Sequence, residues 1–272
     1  QRQMCIRDRL TAGGYRMDGR RPHEFRSMEL TVSPHASATT SLVPTTASAS
    51  VRPDGSAKVT QGLTSVTACI YGPREPSRMA RTPIVRPNRA SIHAEIAMAP
   101  WGGQDWRHRS RNDRRIVEWA NALRSTFEPV VQLHLYPRAQ IDMVLYVHQQ
   151  DGGVLPAMIH ACTLALMDAG VAMSDYVTAM TCGLYGSTAL LDLNVTEQMD
   201  LPYATVAILP RTGGVPLLQL DTRMHKDRFD TMMRTCVEAA DVLQSELDAA
   251  IRGRTAQLVE AAVASRPRPM DR

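Results

Sequence analysis

The sequence predicts an α+β fold in which sheets are backed by helices. Three observations carry that expectation. Stretches in which apolar and polar residues alternate recur along the chain, as with Val66, Ala68 and Ile70 and their polar neighbours. Segments with apolar residues three and four apart lie among them, at 116–127, at 157–169 and from 226 onward. The two kinds are interspersed without regular strand–helix–strand alternation, which argues for helices packed on one side of the sheets.

The chain has 272 residues, 44% hydrophobic and 21% charged, enough for one large core or two smaller ones. No apolar run approaches the roughly 20 residues that a membrane-crossing helix needs, so no membrane partner is expected. The five cysteines (5, 69, 162, 182 and 236) are odd in number and contain no CxxC pair. Free thiols in a reducing compartment are expected, rather than a zinc site or a disulfide framework.

Residues 1–14 show neither period and are expected to be a disordered, non-native tail. Residues 33–50 are almost all Ser, Thr and Ala, with too little apolar surface to offset ordering entropy, so a flexible loop is expected. Strands follow at 57–59 and 65–71, the second ended by Gly72 and Pro73, and another at 91–98. Asp113 stands where it can cap a helix whose apolar face is Ile116, Val117, Ala120, Leu123 and Phe127, closed by Pro129. Strands at 130–135 and 141–148 come next. After the Asp151-Gly152-Gly153 turn, Pro156 suits the first position of a helix that ends at Gly170. Further strands are expected at 176–184, 189–193, 205–209 and 215–220. A long helix then starts near Lys226, with an apolar stripe of Phe229, Met232, Met233, Cys236, Ala240, Leu243 and Leu247, and lasts to Arg252 and Gly253. A disordered tail spans 265–272.

The net charge is only +4, but its distribution is uneven. Between Arg74 and Arg115 stand ten arginines against four acids, a net of +6. Guanidinium groups match phosphate oxygens in a bidentate way, so an anionic polymer is a natural partner; a solvated, salt-bridged face is the alternative. His93, His108, His134, His148 and His160 show no ligand spacing and read as isolated structural histidines. No metal site or cofactor is expected.

Several short motifs fall in order. They are Tyr15-Arg16-Met17-Asp18-Gly19-Arg20-Arg21, Asp54-Gly55-Ser56, Gly62-Leu63-Thr64-Ser65-Val66 and Tyr71-Gly72-Pro73-Arg74-Glu75. Tyr136-Pro137-Arg138, Ile141-Asp142, Gln150-Asp151-Gly152-Gly153, Asp168-Ala169-Gly170 and Leu191-Asp192-Leu193-Asn194 follow. This series, from about residue 15 to 250, resembles the RNase PH family, and within it the core-ring subunits of the eukaryotic RNA exosome. The resemblance implies an RNase PH-like fold with two βαβ-rich halves, here 15–155 and 156–264, and six-membered rings around a pore. It also implies a reaction in which phosphate attacks the 3′-terminal phosphodiester of RNA and releases a nucleoside diphosphate. Two anions must then be held together by arginine and N–H donors, and a carboxylate pair must hold Mg²⁺ or move a proton.

The sequence departs from the active pattern twice. Where active members place a hydroxyl residue and a phosphate-binding arginine, this chain has Val154 and Leu155, followed by Pro156, which removes an N–H from the helix start. Six residues after Asp192, where a second Asp is usual, stands Gln198, a neutral amide; Asp200 lies two further on. Asp192, with Asp200 as its only substitute partner, is therefore read as vestigial. RNA contact is expected from Arg114 and Arg115, which stand in a first helical turn where the macrodipole disfavours cations unless a polyanion is near. Arg74, Arg78 and Arg81 are expected to face the pore.

The resulting expectation is a non-catalytic ring subunit that guides single-stranded RNA in rRNA maturation and mRNA turnover, in nucleus, nucleolus and cytoplasm. Its partners would be other RNase PH-like subunits, cap subunits and a separate processive nuclease. Two alternatives stay open: an active phosphate-dependent 3′–5′ exoribonuclease, and a stand-alone basic RNA-binding protein.

Overall fold

The computed structural model describes residues 10, 14–34, 52–75, 87–103, 106, 110, 112–186, 188–220 and 222–264. Its first sheet contains β1 (Met28–Val32), β2 (Gly55–Gln61), β3 (Thr64–Arg74), β4 (Ser91–Met98) and β5 (Gln140–Gln149), in the order β1-β2-β3-β5-β4. All its pairings are antiparallel except β4 with β5, where Ser91 faces Gln140 and Met98 faces Val147. Helix α1 (Arg114–Phe127) makes the crossover between those two parallel strands and packs back on β4. The second sheet is antiparallel throughout. It contains β6 (Thr178–Tyr185), β7 (Thr188–Leu191), β8 (Tyr203–Leu209) and β9 (Gly214–Leu220), in the order β7-β6-β8-β9.

Helix α2 (Val154–Asp168) touches both sheets, packing on β2 and β3 and also on β6 and β8. Every residue from Val154 to Leu166 is accordingly buried, which is why this helix is apolar on all sides. Its polar groups are tied locally. Thr163 donates to the carbonyls of Ile159 (2.9 Å) and Val177 (3.1 Å), and His160 Nε2 accepts from the Ala179 N–H at 2.9 Å. Burial pushes the His160 pKa down to about 4, so the ring is neutral at neutral pH.

The same packing explains the Asp54-Gly55-Ser56 motif. A Cβ on Gly55 would lie 2.3 Å from the Ala165 carbonyl oxygen, so only glycine lets β2 meet the helix. Asp168, at the end of α2, accepts from the Ser33 hydroxyl and from the Ser56 N–H at 3.0 Å. Asp54 accepts from the Gly72 N–H at 2.7 Å.

Helix α4 (Lys226–Ala264) covers the second sheet with the expected stripe: Met232, Cys236, Ala240, Leu243 and Leu247 are buried, while Phe229 and Met233 are half-buried at its edge. It runs past Gly253, around which nothing lies within 4 Å. An exposed helical glycine costs only about 1 kcal/mol relative to alanine, too little to end a helix of this length.

Other differences from the expected elements have local causes. Strand β1, although Met28, Leu30 and Val32 alternate with polar residues, and the six-residue helix α3 (Val195–Asp200), too short to show a period, were not foreseen. Residues 130–135 form no strand. Val130 and Val131 are buried in a turn, Val131 makes a single bridge to Met173, and Leu133–Leu135 is a 3₁₀ turn. Strand β3 continues beyond Gly72 and Pro73 to Arg74, because Pro73 falls in a register shift where the ladder needs no N–H. Pro156 is the third residue of α2 rather than the first, still within the turn whose N–H groups lack helical partners. The Ser/Thr-rich run from 35 onward and the tails at 1–9 and 265–272 lie outside the described residues.

Candidate functional site

The turn before α2 sets the geometry. Gly152 (φ +77°) and Gly153 (φ +60°) are both left-handed, and a Cβ on Gly152 would lie 2.4 Å from the Leu193 carbonyl oxygen. This close approach presses the start of α2 against the segment leading into α3. Between them opens a cleft of about 220 Å³. Leu155 of α2, Gln198 of α3 and Arg115 of α1 all line it, so three positions far apart in sequence share one wall. The Arg115 guanidinium lies over the Trp119 ring, 5.3 Å from its centroid, and Trp119 lines the cleft as well.

Asp192 is not among the lining residues, although its Oδ1 lies only 3.5 Å from where a Cβ on the lining residue Gly153 would stand. Its side chain is buried at the bend after β7, with a left-handed backbone (φ +54°). Arg26 grips it with Nε to Oδ2 at 2.9 Å and Nη2 to Oδ1 at 2.6 Å, and the Arg26 backbone N–H donates to Oδ2 at 2.9 Å. Burial alone would push the carboxyl pKa up. The Arg26 hydrogen bonds and charge, with a smaller contribution from Arg20, outweigh it and hold the group below the usual carboxylate range. Asp192 is thus held as an anion at neutral pH inside an arginine cage.

The opening arginine motif builds the rest of that cage. Arg16, only 1% exposed, donates to the carbonyls of Leu191, Asp192 (3.2 Å) and Pro22 (2.8 Å). Arg20 donates to the Asp192 carbonyl at 3.1 Å and to Asn194 Oδ1 at 3.1 Å, while the Asn194 amide donates to Asp18. Asn194 and Glu197 then close a capping box on α3, with the Asn194 N–H donating to Glu197 at 3.1 Å. The network fixes the pitch of α3 and hence where Gln198 points.

Of the other expected site residues, Asp200 ends α3, is exposed and does not line the cleft, whereas Gln198 and Met199 do. Asp113 stands at the N-cap of α1 without a side-chain cap hydrogen bond. Arg114 points away from the cleft: its side chain is 92% exposed and its Nε donates to Glu118 at 2.8 Å, one turn on. Arg74 pairs with Asp142 and lies 5.5 Å from the Tyr71 ring centroid. Arg78 and Arg81 lie outside the described residues. Sequence reasoning missed Arg26, because a buried charge pair 166 residues apart leaves no spacing signal. It also missed Thr181, Tyr203, Thr205 and Gln219, cleft-lining polar residues from β6, β8 and β9.

The chemistry this lining supports is one-sided. The described residues around the cleft offer a cation, a helix N-terminus, amides and hydroxyls, and no carboxylate. Such a set receives an anion. It lacks the acid groups that hold Mg²⁺ or transfer a proton.

Comparison with known proteins identifies the family and the fold. The model of the 3′ exoribonuclease family, domain 1 (RNase PH), matches residues 24–172. Exosome complex component RRP41 of Mus musculus is 36% identical over 244 residues, covering 89% of this chain and 93% of that protein. Among solved structures, rice (Oryza sativa) Rrp46 superposes with a TM-score of 0.72 at 23% identity, covering 87% of this chain and 100% of that one. The Archaeoglobus fulgidus exosome with RNA bound to its active site gives a TM-score of 0.68 at 19% identity, covering 86% and 93%. The two structures establish the fold and the sequence matches establish kinship, so this chain belongs to the RNase PH family.

Proposed function

We propose that this chain is a core-ring subunit of an RNA exosome that guides single-stranded RNA without cleaving it. The observation that carries the reading is that no carboxylate stands among the described residues lining the cleft, where Leu155, Gln198 and Arg115 are found together. An RNA phosphate is drawn to Arg115 and the start of α2, while the groups that would activate its scission are missing. An active exoribonuclease built on Asp192 and Asp200 is disfavoured, since Arg26 holds the first and the second lies off the cleft.

The relatives' names speak of components of a complex, and the reading adds assembly with other RNase PH-like subunits, first in pairs and then in a ring of six. Cap subunits and a separate processive nuclease complete the reading, with rRNA maturation and mRNA turnover in nucleus, nucleolus and cytoplasm as its setting. The surface fits assembly better than a solitary RNA-binding protein. Strand β9 ends its sheet with Val215, Leu218 and Leu220 exposed, an edge that a neighbour would cover.

Mixing the purified chain with RNase PH-like partner subunits tests this. Light scattering should report a six-subunit mass, and labelled single-stranded RNA should co-elute with that peak. A monodisperse monomer that ignores its partners at micromolar concentration contradicts the reading.

A further inference from the structure

The chain has only three tryptophans, and two of them stand in the open beside the cleft. Trp101 is 57% exposed and Trp106 80% exposed, and their ring centroids are 6.2 Å apart with planes inclined at 43°. Large flat apolar groups at such exposure serve neither the core nor the arginine network. They follow β4, in the segment that leads to α1.

Trp101 stands on an anchored turn. The Gly102 N–H donates to the Ala99 carbonyl at 3.0 Å, and the Gly102 carbonyl accepts from the Gln150 N–H at 2.7 Å. A Cβ on Gly102 would lie 3.0 Å from the His148 carbonyl oxygen, so the turn sits tight against the end of β5. Gln150 and the next residue of the turn, Gly103, both line the cleft. Trp101 is therefore fastened at the cleft's rim with the Trp106 ring against it, and Arg115 lines the same cleft.

The charge of the sequence that carries them narrows the occupant, together with Arg115 in the cleft lining. The segment from Arg74 to Arg115, which contains both tryptophans, carries a net +6. A flat aromatic surface within a strongly basic segment suits a ligand that pairs flat π-faces with a polyanionic backbone. In a duplex those faces are stacked away, so the matching partner is a single strand.

We propose that Trp101 and Trp106 form a stacking platform for an unpaired nucleobase of the RNA strand entering the cleft. This rests on the RNA-guiding role proposed above and adds a base-dependent, sequence-tolerant contact to the phosphate contacts of the arginines. Stacking accepts any base, because every base has a π-face, and gives nothing to a strand without bases.

The test compares the assembled complex carrying wild-type chain with one carrying Trp101→Ala/Trp106→Ala. The ligands are an oligoadenylate and an abasic oligonucleotide of equal length and charge. Wild type should prefer the base-bearing strand by about tenfold. The double variant should lose that preference while its abasic affinity, salt dependence and melting temperature stay unchanged, and Trp101→Phe/Trp106→Phe should retain much of it. Equal wild-type binding of both strands overturns the platform and leaves the RNA-guiding role standing. A variant that loses both strands equally, together with its assembled mass, reassigns the tryptophans to a subunit interface and also overturns it. Failure of wild type to bind either strand removes both proposals.

Discussion

Asp192→Ala is expected to destabilise the chain by about 3 kcal/mol, because breaking one partner of a buried ion pair strands the other. Arg26 would keep the carbonyls of Asp151 (2.6 Å) and Gly152 (3.3 Å), but its charge would lose its one fully engaged carboxylate. The two side chains are 7% and 1% exposed, so solvent screening offers little relief. Urea unfolding of the wild type, both single variants and Arg26→Ala/Asp192→Ala measures this. The double variant should be less damaged than the sum of the singles. The pH dependence has a defined sign. Since the folded carboxyl pKa lies below its unfolded value, this contribution is complete above the unfolded value near 3.9 and fades as pH falls through the lower folded value. An Asp192→Ala chain as stable as wild type would show that the carboxylate is held for something other than the fold.

The second large effect concerns the arginines, which the structure separates. Arg115 lines the cleft; Arg114 extends into solvent and meets Glu118. Arg115→Ala should reduce the salt slope of RNA binding by about 0.7 log units per decade, the share of one phosphate contact on a single strand. Arg115→Glu should weaken binding by about tenfold or more at low salt, since it places an anion at the phosphate's seat. Thermal stability should hold or rise slightly, because acids suit a helix N-terminus. Arg114→Glu, in contrast, loses its pairing with Glu118 but should leave the salt slope near that of wild type. Filter binding across a salt series distinguishes them. Equal effects from the two positions would mean that the strand runs over the outer face of α1 rather than through the cleft.

Much of the fold was legible because its signals are local. Alternation marks β4 at 91–98, and the 3.6-residue stripe from Met232 to Leu247 marks α4. The motif order identified the family, and the reasons its residues recur are now physical: Gly55 admits α2, Asp168 ties β2 to it, and Arg16 holds the bend at Asp192. What stayed hidden depends on three-dimensional packing. Apolar residues at 130–135 suit a strand but are buried one by one, and α3 owes its six residues to a capping box rather than a period. In the site, Leu155 and Gln198 were readable as departures from the active pattern, and their place in one cleft with Arg115 was not. The motif marked Asp192 as a vestigial carboxylate, and only the structure shows that Arg26 occupies it.

In the proposed function this cleft receives RNA and does not cut it. The most direct measurement follows end-labelled single-stranded RNA with inorganic phosphate and Mg²⁺, using a ring assembled from this chain and non-phosphorolytic RNase PH-like partners alone. The account predicts that the RNA is bound, keeps its length, and yields no nucleoside diphosphate above the buffer control. Release of nucleoside diphosphates that depends on phosphate and disappears with Asp200→Asn, a substitution outside the buried network, would contradict it and restore this chain to the active exoribonucleases.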